Sequence, residues 1–203
     1  MLKKSLYLVL CSSLLGLTGC LVTDERLPSN ERPSPSSAFL GFWQSPWPAM
    51  LTRESLNISF VEGKDYYVAV RGRGKYFGND DKGEPIETQE TASYEAYPAQ
   101  IAGRSFFSLF NIRSDVHAYA IIEVTLENTG NKLVLHEPLD EVVERAMAEG
   151  KLSFRIQEDS KVVTSKPEEL AAWIAGLRPE DFKVHESFER WPEAISDLKT
   201  KLS

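Results

Sequence analysis

The sequence predicts an α+β domain: an antiparallel sheet or partly closed β-barrel carrying two or three helices in its C-terminal half. Three observations lead to this expectation. From Leu56 to His136 apolar and polar residues alternate in short runs, the period of a half-buried strand. Turn residues separate the runs, as in Gly63-Lys64-Asp65 and Asn128-Thr129-Gly130-Asn131. Beyond Pro138 the apolar spacing changes to threes and fours, the period of a helix lying on a core.

The chain has 203 residues, and its first segment stands apart from the rest. Lys3 and Lys4 form a positive start, and Leu6 to Leu17 form a mostly apolar run. That run is too short to span a bilayer and has the build of an export signal. It ends in Leu17-Thr18-Gly19-Cys20. This resembles the lipobox of bacterial lipoproteins, in which small residues precede an obligatory cysteine. The resemblance implies that residues 1–19 are a removable signal peptide and that the Cys20 thiol receives a diacylglyceryl group. It also implies acylation of the new amino group, with palmitate as a common acyl chain. Two or more acyl chains anchor stably, whereas one binds marginally. In that family an Asp after the cysteine often retains the protein at the inner membrane. Leu21 stands there instead, so the expected localisation is the cell envelope, lipid-anchored at the outer membrane. Cys11 lies within the apolar run and is expected to leave with the signal.

Residues 20–37 are expected to be the lipidated cysteine and a disordered tether. Leu21–Ser37 reads LVTDERLPSNERPSPSS, with three prolines, four serines, mixed charge and no apolar period. A flexible chain of that length reaches about 20–25 Å. Residues 38–203 are expected to form a single globular domain, long enough to bury about 70% of its unfolded surface.

The strands follow in order. Leu56, Ile58 and Phe60 alternate with Asn57 and Ser59. After the 63–65 turn, Tyr66, Val68 and Val70 alternate with Tyr67, Ala69 and Arg71, which completes a hairpin pattern. Arg104–Ile112 is apolar on both faces, as in a strand covered on both sides or rolled into a barrel. Ala120, Ile122, Val124 and Leu126 define one face, opposite Glu123, Thr125 and Glu127. Lys132–His136 returns from the 128–131 turn, and Leu152–Gln157 and Lys161–Val163 flank another turn.

Three helices are predicted. Leu139, Val142, Val143, Ala146 and Met147 form one apolar stripe between Pro138 and the stop at Gly150. Ser165-Lys166-Pro167-Glu168 reads as a capping box before the stripe Leu170, Trp173, Ile174 and Leu177. Pro192–Leu202, with Ile195 and Leu198, is the third.

Charge and residue inventory narrow the function classes. The whole chain carries −7; without Lys3 and Lys4, 21 basic residues face 30 acidic ones, a net of −9. An acidic chain without a basic tract is a poor partner for nucleic acid. With Cys11 and Cys20 both committed to the leader and the anchor, no cysteine remains for a disulfide, a metal site or a nucleophile. His117, His136 and His185 have no zinc-helix spacing, no G-x-S-x-G elbow is present, and no cofactor or metal is expected. Asp115 and His117 share a face of any strand they occupy, an arrangement that would suit a base and its orienting group, or a solvated strand end. Arg71, Arg73 and Lys75 are the only basic cluster, interleaved with Gly72 and Gly74, and are candidate contacts for an anion or simply an exposed hairpin end. Residues 79–84 offer oxygen ligands without calcium-loop spacing, because Gly83 stands where a ligand is needed. Asp140, Glu141 and Glu144 suit the start of a helix, whose dipole favours negative charge.

The aromatics suggest a binding role. Gly41-Phe42-Trp43 opens the domain, with Trp47 close behind, and resembles the G-x-W of the first lipocalin strand. That resemblance implies a small barrel carrying an apolar ligand, with Trp43, Phe106, Phe107 and Phe110 as candidate lining. A broader likeness covers Phe39-Leu40-Gly41-Phe42-Trp43, Tyr97-Pro98-Ala99, Gly103-Arg104-Ser105-Phe106-Phe107 and Pro167-Glu168-Glu169-Leu170. It is similar to a group of uncharacterised bacterial exported proteins, which supplies no activity to carry over. The expected function is a lipid-anchored envelope lipoprotein with a non-enzymatic binding or interaction domain, its partners the membrane and an envelope protein. The alternatives are a lipocalin-like carrier of an apolar ligand and, third, a hydrolase.

Overall fold

The structure, a computed structural model, describes residues 21–29, 31–45, 52–79, 85–113, 117–157 and 160–191. These form eleven strands and two α-helices. In chain order the strands are β1 (Leu21–Thr23), β2 (Gly41–Gln44), β3 (Thr52–Phe60), β4 (Tyr67–Asn79), β5 (Pro85–Ile101), β6 (Arg104–Asn111), β7 (Tyr119–Glu127) and β8 (Lys132–Pro138). Helix α1 (Asp140–Ala148), strands β9 (Phe154–Gln157) and β10 (Ser160–Val163), helix α2 (Pro167–Ala175) and strand β11 (Phe182–Arg190) follow.

Eight strands close into an antiparallel barrel in the order β6-β5-β4-β3-β2-β11-β8-β7, with β7 returning to β6. Closure leaves those strands without an open edge. A side sheet leaves the barrel at β7, whose residues 119–121 pair with β1 and whose residues 123–127 pair with β8. Beyond β1 come β10 and then the edge strand β9. The fold is therefore mostly β, with both helices in the C-terminal half and outside the barrel, so the α+β expectation holds only in part. The third predicted helix, residues 192–202, lies outside the described residues.

Period two decides what fills the barrel. Leu56 and Ile58 from β3, Tyr67 and Ala69 from β4, Ala92, Tyr94 and Ala96 from β5, Phe107 from β6, Ile122 and Val124 from β7, Leu133 from β8 and Phe188 from β11 form one buried cluster around Trp43. In β4 the inward set is Tyr67 and Ala69, which leaves Val68 and Val70 on the outer face, half-buried. The barrel is sealed at the β2 end. The Trp43 indole N–H donates to the Phe39 carbonyl at 2.9 Å, and the Arg190 guanidinium lies 4.1 Å from the Trp43 ring. Arg190 also donates to the carbonyls of Leu40, Ala38 and Gly130 at 3.0, 2.6 and 3.2 Å. Gly41 makes this possible: its φ is +127° and a Cβ there would come within 3.2 Å of the Arg190 guanidinium.

A second buried cluster lies outside the barrel wall. Ala99, Ile101, Phe106 and Ile121 face outward from β5, β6 and β7 and pack beneath Val143 and Ala146 of α1 and Leu170 and Ile174 of α2. Phe106 and Phe107 thus serve opposite faces of one strand, as the two-sided run 104–112 predicted. Arg104 clamps this outer core: it is bound to Glu123 through Nε at 2.7 Å, donates to the Leu177 carbonyl at 3.2 Å, and lies 4.2 Å from the Phe182 ring. The start of α2 is shifted by one residue from the predicted box. Lys166 is the N-cap and its N–H is received by the Glu169 carboxylate at 3.3 Å, while Ser165 Oγ accepts the Ser153 N–H at 2.8 Å.

The expected tether is a correction. Residues 21–29 and 31–37 are part of the fold. Leu21 and Leu27 are 2% and 1% exposed and belong to the outer core. The Leu27 N–H donates to Ser108 Oγ at 3.0 Å, Ser29 Oγ donates to the Pro98 carbonyl at 2.9 Å, and the Ser34 N–H donates to the Tyr67 hydroxyl at 2.9 Å. Arg26 pairs with Asp65 at 2.8 Å and lies 4.4 Å from the Tyr97 ring. Prolines remove donors that a strap on a closed barrel does not need, and its two leucines are too few to register as a period. The segment is a strap laid along the wall and across the sealed end.

Candidate functional site

The barrel has an apolar end and a charged end. Strand alternation sets both. On β4 the parity that turns Tyr67 and Ala69 inward does the same to Arg71 and Arg73. On β3 Glu54 lies opposite Arg73 in register. On β11 a bulge between Val184 and Glu186 inserts His185, and Glu186 then faces Leu135 on the interior side. Gly72 lets β3 and β4 close at this level, since a Cβ there would fall 2.7 Å from Ser55 Oγ.

These residues form an ion network. Arg71 donates to Glu54 Oε2 at 2.8 Å and also to Glu186 Oε1, and Arg73 Nε donates to Glu54 Oε1 at 2.7 Å. Next to it, the Glu137 carboxylate receives Lys183 Nζ at 3.1 Å and stands 3.3 Å from His185 Nδ1. Burial pushes the Glu186 carboxyl up to about 7; Arg71 pulls against that, and the nearby Glu54 charge adds to it. Burial also opposes ionisation of Glu54, but Arg71 and Arg73 outweigh it and hold that carboxyl below the usual range. The hydrogen bond with Glu137 raises His185 above the ordinary histidine value, against its burial. Two carboxyl groups on one arginine with opposite shifts make a site that holds a proton near neutral pH.

The candidate residues fall in different places. Arg71 and Arg73 are neither an exposed hairpin end nor an open anion site, because they point inward and are met by Glu54 and Glu186. Lys75 continues β4 in register with Thr52 and Thr88, and its side chain lies outside the described residues. Of the candidate ligand lining, Trp43 and Phe107 are inside the barrel. Phe106 is in the outer core, and Phe110 is on the outer wall with Tyr119 and His117, at 5.6 and 5.1 Å between ring centroids. His117 is thus in an aromatic cluster on the wall, while Asp115 lies outside the described residues. So do Trp47, Cys20 and residues 80–84 of the possible oxygen-ligand turn. His136 shares a hydrogen bond of 3.0 Å with Thr125 Oγ1 on the outer face. Asp140 and Glu141 occupy the first turn of α1, as their charge predicted. Among the described residues no group of three His, Cys, Asp or Glu side chains is placed to hold a metal.

Sequence reasoning missed Glu54, Glu137, His185 and Glu186. The available signal was parity: Arg71 is two residues beyond Ala69 and four beyond Tyr67 in an unbroken strand, so an inward Tyr67 requires an inward arginine and a carboxylate to meet it. One further concavity is an open groove of about 390 Å³ between α1 and α2, with Val142, Arg145, Trp173 and Arg178 among its walls.

Comparison with known proteins finds no family that matches, and no curated protein or solved structure that is similar. The functional reading therefore rests on the chain itself.

Proposed function

We propose that this is a lipid-anchored bacterial envelope protein whose barrel is a non-enzymatic interaction domain, working through its outer surface. The observation that carries this reading is the content of the barrel. An eight-stranded barrel is just wide enough to be filled by side chains or to hold one small ligand. Here Trp43, Phe107, Leu133 and Phe188 occupy one end, and the paired charges of Glu54, Arg71, Arg73 and Glu186 occupy the other. The four candidate lining aromatics divide between the interior and the wall, so they do not line one cavity. The anchor rests on the Leu17-Thr18-Gly19-Cys20 box and the charged and apolar segments before it. Metabolic palmitate labelling tests it: label on the wild type and none on Cys20→Ala supports the anchor, and label persisting on Cys20→Ala contradicts it.

A second reading is a carrier of one small apolar ligand. It is favoured by a closed barrel with a tryptophan at its sealed end, beneath Arg190. Native mass spectrometry of a periplasmically expressed chain distinguishes the two. The chain must begin at Leu21, because a start at Ala38 would remove the strap. A bare mass is expected for the interaction domain, and a reproducible added lipid mass would establish the carrier.

A further inference from the structure

We propose that the side sheet seats the protein directly on the bilayer surface, with strand β9 at the headgroup level and no spacer between lipid and fold. This rests on the reading of Cys20 as the lipidated residue. Cys20 is one peptide bond from Leu21, and Leu21 is already in strand β1 and buried. The acyl chains would therefore leave from the barrel wall itself.

Strand register shows what lies beside that point. β1 runs parallel to β10 with Thr23 level with Val163, which brings Leu21 level with Lys161. β10 pairs in turn with β9, with Lys161 opposite Ile156 and Val163 opposite Phe154. Two strand spacings separate Leu21 from Ile156, a distance of about 10 Å. Phe154 and Ile156 lie on one face of β9 and are 43% and 61% exposed, among the largest exposed apolar side chains described. An apolar pair on a sheet edge is a liability in water unless something covers it. The bilayer held by the neighbouring residue is the occupant already in reach. The unpaired backbone groups of an edge strand do not enter hydrocarbon, so the seat is interfacial rather than inserted. Pairing of the same edge with a strand from another protein is the competing occupant.

The test uses the full-length lipidated protein, purified from membranes and reconstituted in phosphatidylethanolamine/phosphatidylglycerol vesicles. A nitroxide is placed at Ile156→Cys and, separately, at the exposed Asn131→Cys in the turn at the far end of β7. Accessibility is read as the ratio of collision with oxygen to collision with a water-soluble nickel chelate. A ratio several-fold higher at 156 than at 131, in vesicles and not in detergent-free aqueous protein cleaved from its anchor, supports the seat. Equal ratios in vesicles, with intact-mass confirmation of the lipid on Cys20, would overturn the seat and leave the anchor standing. Shielding of position 156 from both reagents would mean a covering protein strand and would also overturn it. An unmodified Cys20 would overturn the anchor and the seat together.

Discussion

The two buried clusters of this molecule are built by different rules. The inner core is enclosed by strands of one period, which contribute every second side chain to a closed barrel except at the β11 bulge. The outer core is assembled from pieces of three kinds: the outward faces of β5, β6 and β7, one stripe each from α1 and α2, and the two leucines of the strap, which follow no period. The inner core has one tight polar seam, the Arg71 network; the outer core is pinned by Arg104 on Glu123 and by the Leu27 N–H on Ser108. A closed barrel supports itself, while the outer layer depends on the barrel for its floor. Damage to the inner core should therefore cost more than equivalent damage outside.

Trp43→Ala should produce the largest loss, about 3–5 kcal/mol by denaturant unfolding, because it empties the sealed end and leaves Arg190 without its ring. A loss below that of the strap variant would reverse the order of the two cores. Leu27→Ala should cost about 2–4 kcal/mol for a buried leucine next to a buried hydrogen bond. A neutral result would mean the strap contributes nothing. Arg104→Met should cost about 2 kcal/mol, less than a fully buried pair because Arg104 is partly exposed, yet enough to leave the Glu123 carboxylate unmatched.

An effect comparable with that of Arg104→Met is expected with pH and belongs to the inner core alone. Glu186 has a folded pKa raised to about 7 from 4.5, so the folded state binds more protons between these values and stability falls as pH rises through that window. His185 is raised as well; its contribution is complete below about 6.5 and is lost as pH rises through the folded value, in the same direction. Unfolding free energy should therefore drop by roughly 1–3 kcal/mol from pH 5 to pH 8 through these groups. Glu186→Gln should flatten that slope, and an unchanged slope would remove Glu186 as its source.

The inner core was the more legible. Leu56 and Ile58, and Val124 and Leu126, give their inward face directly because their neighbours on the other parity are polar. The alternation was ambiguous in β4, where Val68 and Val70 look like the core face but are opposed by Tyr67 and Ala69, and the placement of Arg71 depends on that choice. The bulge at His185 breaks parity within β11, so Glu186 could not be placed from spacing. The two described helices, α1 and α2, were readable from their stripes. The strap was not, because packing on an existing wall needs only Leu21 and Leu27, and their neighbours have the composition of a linker. Local composition reports whether a segment can make its own core, not whether it can join one built elsewhere.

The claim that residues 21–29 belong to the fold is tested most directly by amide hydrogen exchange on the protein, resolved to single residues. Asp24 N donates to the Val163 carbonyl at 3.0 Å and Leu27 N to Ser108 Oγ at 3.0 Å, so both should exchange far more slowly than an open chain. Exchange of both at the rate of an unstructured peptide, with the barrel strands still protected, would contradict it and restore a free tether.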